Sequence, residues 1–305
     1  MIPEKKGWEK GCGEKEMLDF SVVIPARNAE KTIGRCIETA LAQNYKGKYE
    51  VIVVDNDSKD ATAEAIKKFP VKYLFCKKKG AGAARNLGVK NAKGKTIAFL
   101  DSDRFPEKNW LEEAGKFFKK NKGNIAAGKI KLEQNTLVKK TLMEIKMDQK
   151  LFAETGFGLT CNMFIKKKTF QKLGGFDERL AVTSEDLEFG ERAFSIGEKT
   201  AYLEHAVVKY KPRQLHLYFK NEFRRGRALA QLNFLRKKAL DCRHERIDRG
   251  ALIAKKFLGG KGKGAVEIGM FLAIALGTKA ACYAGQAFET ALLAADSRRR
   301  AKLLG

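Results

Sequence analysis

The chain has 305 residues, 44% hydrophobic and 32% charged, with 61 Lys and Arg against 36 Asp and Glu and a formal net charge of +25. That length suits one large α/β core, or a core with a smaller appended domain. Its six cysteines, at 12, 36, 76, 161, 242 and 282, include no Cys-x-x-Cys pair, which disfavours a zinc site and a disulfide framework and points to a reducing compartment.

The first 16 residues are charged and lack an apolar core, so no signal peptide is visible, and the active region is expected in the cytosol or on its face of a membrane. Residues 20–24 (Phe-Ser-Val-Val-Ile) read as a first buried strand, stopped by Pro25-Ala26-Arg27-Asn28, with Asn28 able to cap a helix over 30–42. Residues 49–54 form a second apolar strand ending in Asp55. The polar turn Asn56-Asp57-Ser58-Lys59-Asp60 then leads into a helix reaching about 68. Residues 71–75 are a third strand. Gly80-Ala81-Gly82-Ala83-Ala84-Arg85-Asn86 opens a helix ended by Lys93-Gly94, and 96–100 is a fourth strand. This β-α-β-α-β-α-β alternation with near-continuous apolar strands predicts an α/β fold with a mostly parallel, doubly wound sheet. Position 85 is Arg where the dinucleotide fingerprint needs Gly, and no P-loop is present, which disfavours a dehydrogenase and a P-loop NTPase.

The fourth strand runs into Asp101-Ser102-Asp103. Open α/β sheets bind ligands at the carboxyl edge of their strands. Two hard oxygen donors there suit Mg²⁺ or Mn²⁺, which is held by one or two carboxylates plus substrate phosphates. The same spacing also occurs in solvated turns, so the rest of the chain must decide.

Residues 107–120 carry Trp110, Leu111, Ala114, Phe117 and Phe118 at helical spacing. A strand is predicted over 124–132 and a helix over 137–152, and segments 155–159 and 162–165 flank a small polar patch. Leu173-Gly174-Gly175-Phe176-Asp177-Glu178 precedes Thr183-Ser184-Glu185-Asp186, where Ser184 can cap a helix to about 195. Carboxylates in that first turn are favoured by the helix dipole alone. From 212 to 256 the chain reads helical and basic, through Arg224-Arg225-Gly226-Arg227. Residues 209–263 hold 17 Lys and Arg against 4 Asp and Glu, about half of the net charge. After the flexible break Gly259-Gly260-Lys261-Gly262-Lys263-Gly264, residues 265–295 are small and apolar. Glu267 and Lys279 leave 11 uncharged residues between them, short of the ~20 of a spanning helix. A buried or interfacial helix pair is expected there.

The ordered segments Val-Val-Ile-Pro-Ala-Arg-Asn (22–28), Val-Ile-Val-Val-Asp-Asn-Asp-Ser-Lys-Asp (51–60), Gly-Ala-Ala-Arg-Asn (82–86), Phe-Leu-Asp-Ser-Asp (99–103), Gly-Gly-Phe-Asp-Glu (174–178) and Ser-Glu-Asp (184–186) together resemble glycosyltransferase family 2, the inverting enzymes of GT-A fold. The match covers about 20–210, so a catalytic domain is placed over 18–210 and a basic helical extension over 211–305. The resemblance implies roles. Pro25, Ala26, Arg27, Asn28 and Asp57 would line the nucleotide pocket, Asp55 would accept from the base, most naturally uracil N3–H, and Arg85 with Asn86 would reach the base or diphosphate. Asp101 with Ser102 would hold the ribose or metal-bound water, and Asp103, with Asp101, the Mg²⁺ or Mn²⁺ bridging the diphosphate. Asp186 would be the catalytic base, with Glu185 in support.

Two departures bear on this reading. Many members carry Val-x-His after the last sheet strand, where this chain has Val208-Lys209-Tyr210, and His205 and His216 are not at the matching position. The processive members' Gln-x-x-Arg-Trp is absent; Arg224-Arg225-Gly226 lies at that distance without the Trp, which favours single-sugar transfer. The basic segment suits anionic head groups or a polyprenyl-phosphate acceptor, and so a peripheral enzyme on the cytoplasmic face of a membrane. Charge alone also fits a nucleic-acid-binding protein, although few aromatics interleave the basic segment and no nucleic-acid module is recognisable. A sugar-nucleotide-binding subunit without transfer is the third reading, against which Asp101, Asp103 and Asp186 argue.

Overall fold

The computed structural model describes residues 18–133, 148–154, 156, 158–180, 184–211, 215–238 and 265–304. Most of the helix predicted over 137–152 lies outside the described residues, as does the Gly-Lys break at 259–264.

Eight strands form one sheet: β1 (Phe20–Ala26), β2 (Tyr49–Asp55), β3 (Lys72–Phe75), β4 (Thr96–Leu100), β5 (Arg104–Pro106), β6 (Ile125–Leu132), β7 (Asn162–Lys166) and β8 (Thr200–Tyr210), in the order β3-β2-β1-β4-β7-β6-β8-β5. The four N-terminal strands pair in parallel. Alternation along them sends Val22, Ile24, Val51 and Val53 into one core and Val23, Ile52, Val54 and Ile97 into another. Both faces of β1, β2 and β4 are therefore covered, which is why each carries a run of consecutive apolar residues, Val22–Ile24, Val51–Val54 and Ile97–Leu100. α1 (Ile33–Leu41), α2 (Thr62–Lys67) and α4 (Trp110–Lys119) cover the first face. α3 (Ala81–Lys90), α6 (Lys167–Lys172) and α7 (Glu185–Ser195) cover the second, and α5 (Gln149–Glu154) lies beside β6 and β8.

Pro25 does not end β1, which continues to Ala26. Pairing of β1 with β4 stops at Val23, so the missing N–H of Pro25 breaks no ladder on that side. Beyond β4 the sheet is mixed: β7 is antiparallel to β4 and β6, β8 parallel to β6, and β5 antiparallel to β8. Four residue steps from Leu100 to Arg104 reach at most about 14 Å, whereas four flat strand spacings from β4 to β5 need about 19 Å. The sheet must curl, and that curl brings Asp101-Ser102-Asp103 over its carboxyl edge.

Two helix starts differ from the sequence reading. α1 begins at Ile33 behind Thr32, without a side-chain cap, so Asn28 does not cap a helix over 30–42. Ser184 precedes α7 with φ +73 and makes no cap bond. The C-terminal segment forms α8 (Leu215–Lys238), α9 (Ala265–Ala295) and α10 (Ser297–Leu304), so residues 265–295 are one helix rather than a pair. α8 and α9 touch backbone to backbone, since a Cβ on Gly226 would lie 1.9 Å from the Cys282 carbonyl oxygen. Leu232, Leu293 and Leu303 from these three helices pack around Leu180, with Leu187 of α7 alongside. Among the described residues no helix is long and apolar enough to cross a membrane.

Candidate active site

The loops after β1 and β2 are laced together. Asn28 and Asp57 adopt φ +49 and +56, a region that short polar side chains tolerate. The Lys59 amide donates to Asn28 Oδ1 (2.8 Å), the Asn28 amide to Ser58 Oγ (3.0 Å) and the Ala29 amide to Thr62 Oγ1 (2.7 Å). Asn28 is thus a loop lock, exposed beside Arg27. Buried Asp55 accepts from the Ser58 amide (3.0 Å) and the Tyr73 hydroxyl (3.3 Å). Asp57 pairs with Lys59 at 2.8 Å; that bond, with help from Arg27 and Lys79, lowers its pKa. Asn56, which the sequence shows only as part of a polar turn, is buried and donates to the Cys76 and Lys78 carbonyls (3.1 and 2.7 Å) while accepting from the Gly80 amide (3.0 Å). It sets the turn that launches α3 and Arg85.

Arg85 is the hub. Its side chain is 4% exposed, with Nη2 donating to Asp101 Oδ1 (2.8 Å) and Nη1 to Glu185 Oε1 (2.5 Å). Nε is buried and, among the described residues, has no hydrogen-bond partner. Burial disfavours the guanidinium charge, but the carboxylates of Asp101 and Glu185 outweigh it and hold the pKa above the ordinary arginine value. Glu185 is buried too, and burial, with Asp186 beside it, pushes its pKa up although Arg85 opposes the shift. The fork is shared with Asp101, so its help to Glu185 does not offset burial. Asp186 stays partly exposed and accepts from the Leu187 amide (2.8 Å).

Asp103 has its own arginine. Buried Arg104 donates to Asp103 Oδ1 (2.6 Å), and its guanidinium lies 3.8 Å from the Tyr210 ring centre. The β5–β8 register places Arg104 opposite Tyr210, which fixes that stack. Ser102, between the carboxylates, is partly exposed. Cys36 and Cys161 lie close to this cluster. Burial pushes both thiols up, Cys161 to about 12, so neither is a ready nucleophile.

Asn86, predicted to reach the donor, ties α3 to the Gly-Gly-Phe-Asp-Glu loop. Its Nδ2 donates to the Phe176 carbonyl and Glu178 Oε1 (both 2.9 Å), and its Oδ1 accepts from the Phe176 amide (2.9 Å). Gly175 has φ +74, and a Cβ there would lie 2.8 Å from Asn86 Oδ1, so this contact requires glycine. Lys78–Glu178 (2.7 Å) joins the same loop to the β3–α3 turn. His205 is exposed on β8. Gly226, at the place where processive members carry their motif, is used for helix packing.

Among the described residues no group of three or more His, Cys, Asp or Glu is arranged to hold a metal ion. At this edge, among the described residues, Asp101 and Asp103 offer a cation their carboxylate oxygens, and each of these carboxylates already faces a guanidinium. Such a donor set fits a Mg²⁺ or Mn²⁺ whose remaining ligands are substrate phosphates and water.

The family model for glycosyl transferase family 2 matches residues 21–174, half of the chain. Glycosyltransferase AglE of Haloferax volcanii is 26% identical over 224 residues, covering 70% of this chain and 73% of that protein. The mannosyltransferase PcManGT from Pyrobaculum calidifontis, solved with GDP-Man and Mn²⁺, superposes with a TM-score of 0.58 at 19% identity, over 98% of this chain and 89% of that one. Staphylococcus aureus TarS 1–349 with UDP-GlcNAc gives 0.54 at 16% identity, over 93% and 92%. These two likenesses establish a GT-A fold. With the family model spanning half its length and the ordered segments converging on one sheet edge, the chain belongs to glycosyltransferase family 2.

Proposed function

We propose that this glycosyltransferase moves a single sugar from a nucleoside-diphosphate sugar to an acceptor hydroxyl or a lipid phosphate, with inversion, at the cytoplasmic face of a membrane. The observation that carries the reading is the fork of Arg85, one buried guanidinium joining Asp101 at the donor edge to Glu185 beside Asp186. A donor held at that edge and a base held on α7 then share one rigid support.

Asp55 meets the nucleotide base, and Pro25, Ala26, Arg27, Asn28 and Asp57 line its pocket. Asp101 and Asp103 hold Mg²⁺ or Mn²⁺, which when bound supplies positive charge to the leaving diphosphate. Arg85 and Arg104 keep the two carboxylates oriented, and Asn86 acts through the 174–178 loop. Asp186 takes the acceptor proton as the acceptor oxygen bonds to the anomeric carbon. The sugar–diphosphate bond breaks with its electron pair leaving on the nucleotide, and direct displacement inverts the carbon. Glu185 is a positioning residue, being paired with Arg85. The GDP-Man and UDP-GlcNAc bound to the two structural neighbours support the donor class, and Asp55 favours uracil.

A thermal-shift panel of UDP, GDP and their sugars, with and without Mn²⁺, tests this. A ligand at a hundred times its Kd adds about 2.7 kcal/mol of apparent stability. One nucleotide series should raise the melting temperature, and a panel without any shift would overturn the donor assignment.

A further inference from the structure

We propose that the outward face of α9 docks on an anionic lipid surface and lies within its interface. The inference deepens the membrane-face reading above and rests on it.

α9 is inside out. A helix on a soluble protein turns its apolar stripe inward and its charges outward. On the side facing α8, α9 buries Gly285 and the carboxylate of Glu289, which is fully enclosed and accepts from Arg227 (2.8 Å), Gln231 (2.7 Å) and Arg299 (2.6 Å). On the outward side Leu276 is 67% exposed and Tyr283 57%, with Ala280, Ala287, Ala291 and Ala294 also exposed. At about 100° per residue these six positions fall on one stripe. Phe288, 49% exposed, lies at its margin. Glu289 is the sole acid between 276 and 295, so over that stretch the outward face carries no negative charge.

Cations rim this face. Lys279 Nζ lies 5.9 Å from the Tyr283 ring centre, the Arg227 guanidinium lies 5.5 Å from that of Phe288, and Arg298 is exposed just beyond the end of α9. In sequence, residues 209–263 hold 17 Lys and Arg against 4 acids, and 297–304 hold four cations and no acid, so the C-terminal part of the chain is strongly positive. A second copy with the same +25 charge would meet like charge with like, whereas anionic head groups are complementary. A helix with an apolar stripe, aromatic rings and flanking Lys and Arg is the kind that lies in a lipid interface, some 5–10 Å deep. Leu293 and α10's Leu303 pack on Leu180, which precedes the Glu185–Asp186 helix, so the docked helix is continuous with the wall that carries the proposed base.

The test is co-sedimentation of the full chain with phosphatidylcholine vesicles, with and without phosphatidylglycerol, for wild type, Leu276→Glu and Tyr283→Glu. Both positions are exposed, so melting temperature and nucleotide affinity should stay at wild-type values. Wild type should favour the phosphatidylglycerol vesicles, and each substitution should lower partitioning by about tenfold. Vesicle binding equal in wild type and both variants, or absent throughout, overturns the assignment. So does a wild-type dimer in sedimentation velocity that the variants dissociate, which would give the face to a second copy. Vesicle binding lost in the variants but no nucleotide bound by any form would sink the donor reading and leave this one standing.

Discussion

Replacing Arg85 with Met removes the cation shared by Asp101 and Glu185 while keeping most of its apolar volume. Breaking a buried ion pair costs roughly 3–5 kcal/mol, because an uncompensated charge remains. Asp101 is partly exposed and water can take over its share. Glu185 cannot be hydrated, but burial already holds its pKa high, so it can take a proton instead. The loss should therefore fall near the low end, about 3 kcal/mol. At about 2–4 °C per kcal/mol for a domain of this size, melting should drop by roughly 6–12 °C. The sign of the pH dependence follows from Glu185. Without Arg85 its folded pKa rises further above the unfolded value, so stability is present at low pH and lost as pH rises through the folded value. The gap between wild type and variant should be wider at about pH 8 than at about pH 5. Adding Glu185→Gln to Arg85→Met should restore part of the loss, because the orphaned charge is gone. Differential scanning calorimetry of wild type, Arg85→Met, Glu185→Gln and the double variant across this pH range decides the matter. A loss that is small, independent of pH and unrelieved by Glu185→Gln would refute the reasoning.

Three other expectations can be checked separately. Asp186→Asn should bind donor nucleotide normally yet transfer sugar roughly 10²-fold more slowly in single-turnover assays, with Glu185→Gln milder; the reverse order would move the base to Glu185. Arg104→Gln should raise Mn²⁺ affinity in the presence of nucleotide, measured by the Mn²⁺ spin-resonance signal, because a cation competing for Asp103 is removed; Arg104→Lys should stay near wild type. Burial opposes ionisation of Glu289, but Gln231, Arg227 and Arg299 prevail and lower its pKa. Its contribution to stability should be present above an unfolded value of about 4.3 and lost as pH falls through the lower folded value, a decline that melting curves of Glu289→Gln should lack.

The parallel half of the fold is legible because β1, β2 and β4 are buried on both faces, and each shows this as three or four consecutive apolar residues, Val22–Ile24, Val51–Val54 and Ile97–Leu100. The mixed half was harder to read. β5 is three residues long, too short for any period, and α6 carries Lys-Lys-Thr-Phe-Gln-Lys with one large apolar residue. Asn28 and Ser184 have the composition of helix caps, but left-handed backbones turn them to other uses. At the site, the carboxylates at strand ends announce themselves, since a charge closing an apolar run is conspicuous. Their partners do not. Arg85 meets Glu185 across 100 positions, and Asn86 meets Phe176 across 90. The adjacency of Arg104 to Asp103 was in plain view, yet only the curled sheet, with Tyr210 beneath the guanidinium, makes that pair a fixed feature.

The central claim is that the edge bearing Asp101 and Asp103 holds a nucleoside diphosphate, and calorimetric titration of UDP and GDP with Mn²⁺ into wild type and Asp103→Asn tests it most directly. Wild type should bind one of the two, and the folded variant should bind it roughly tenfold or more weakly, since a charged ligand group has become neutral. Equal affinity in the two proteins would contradict the account.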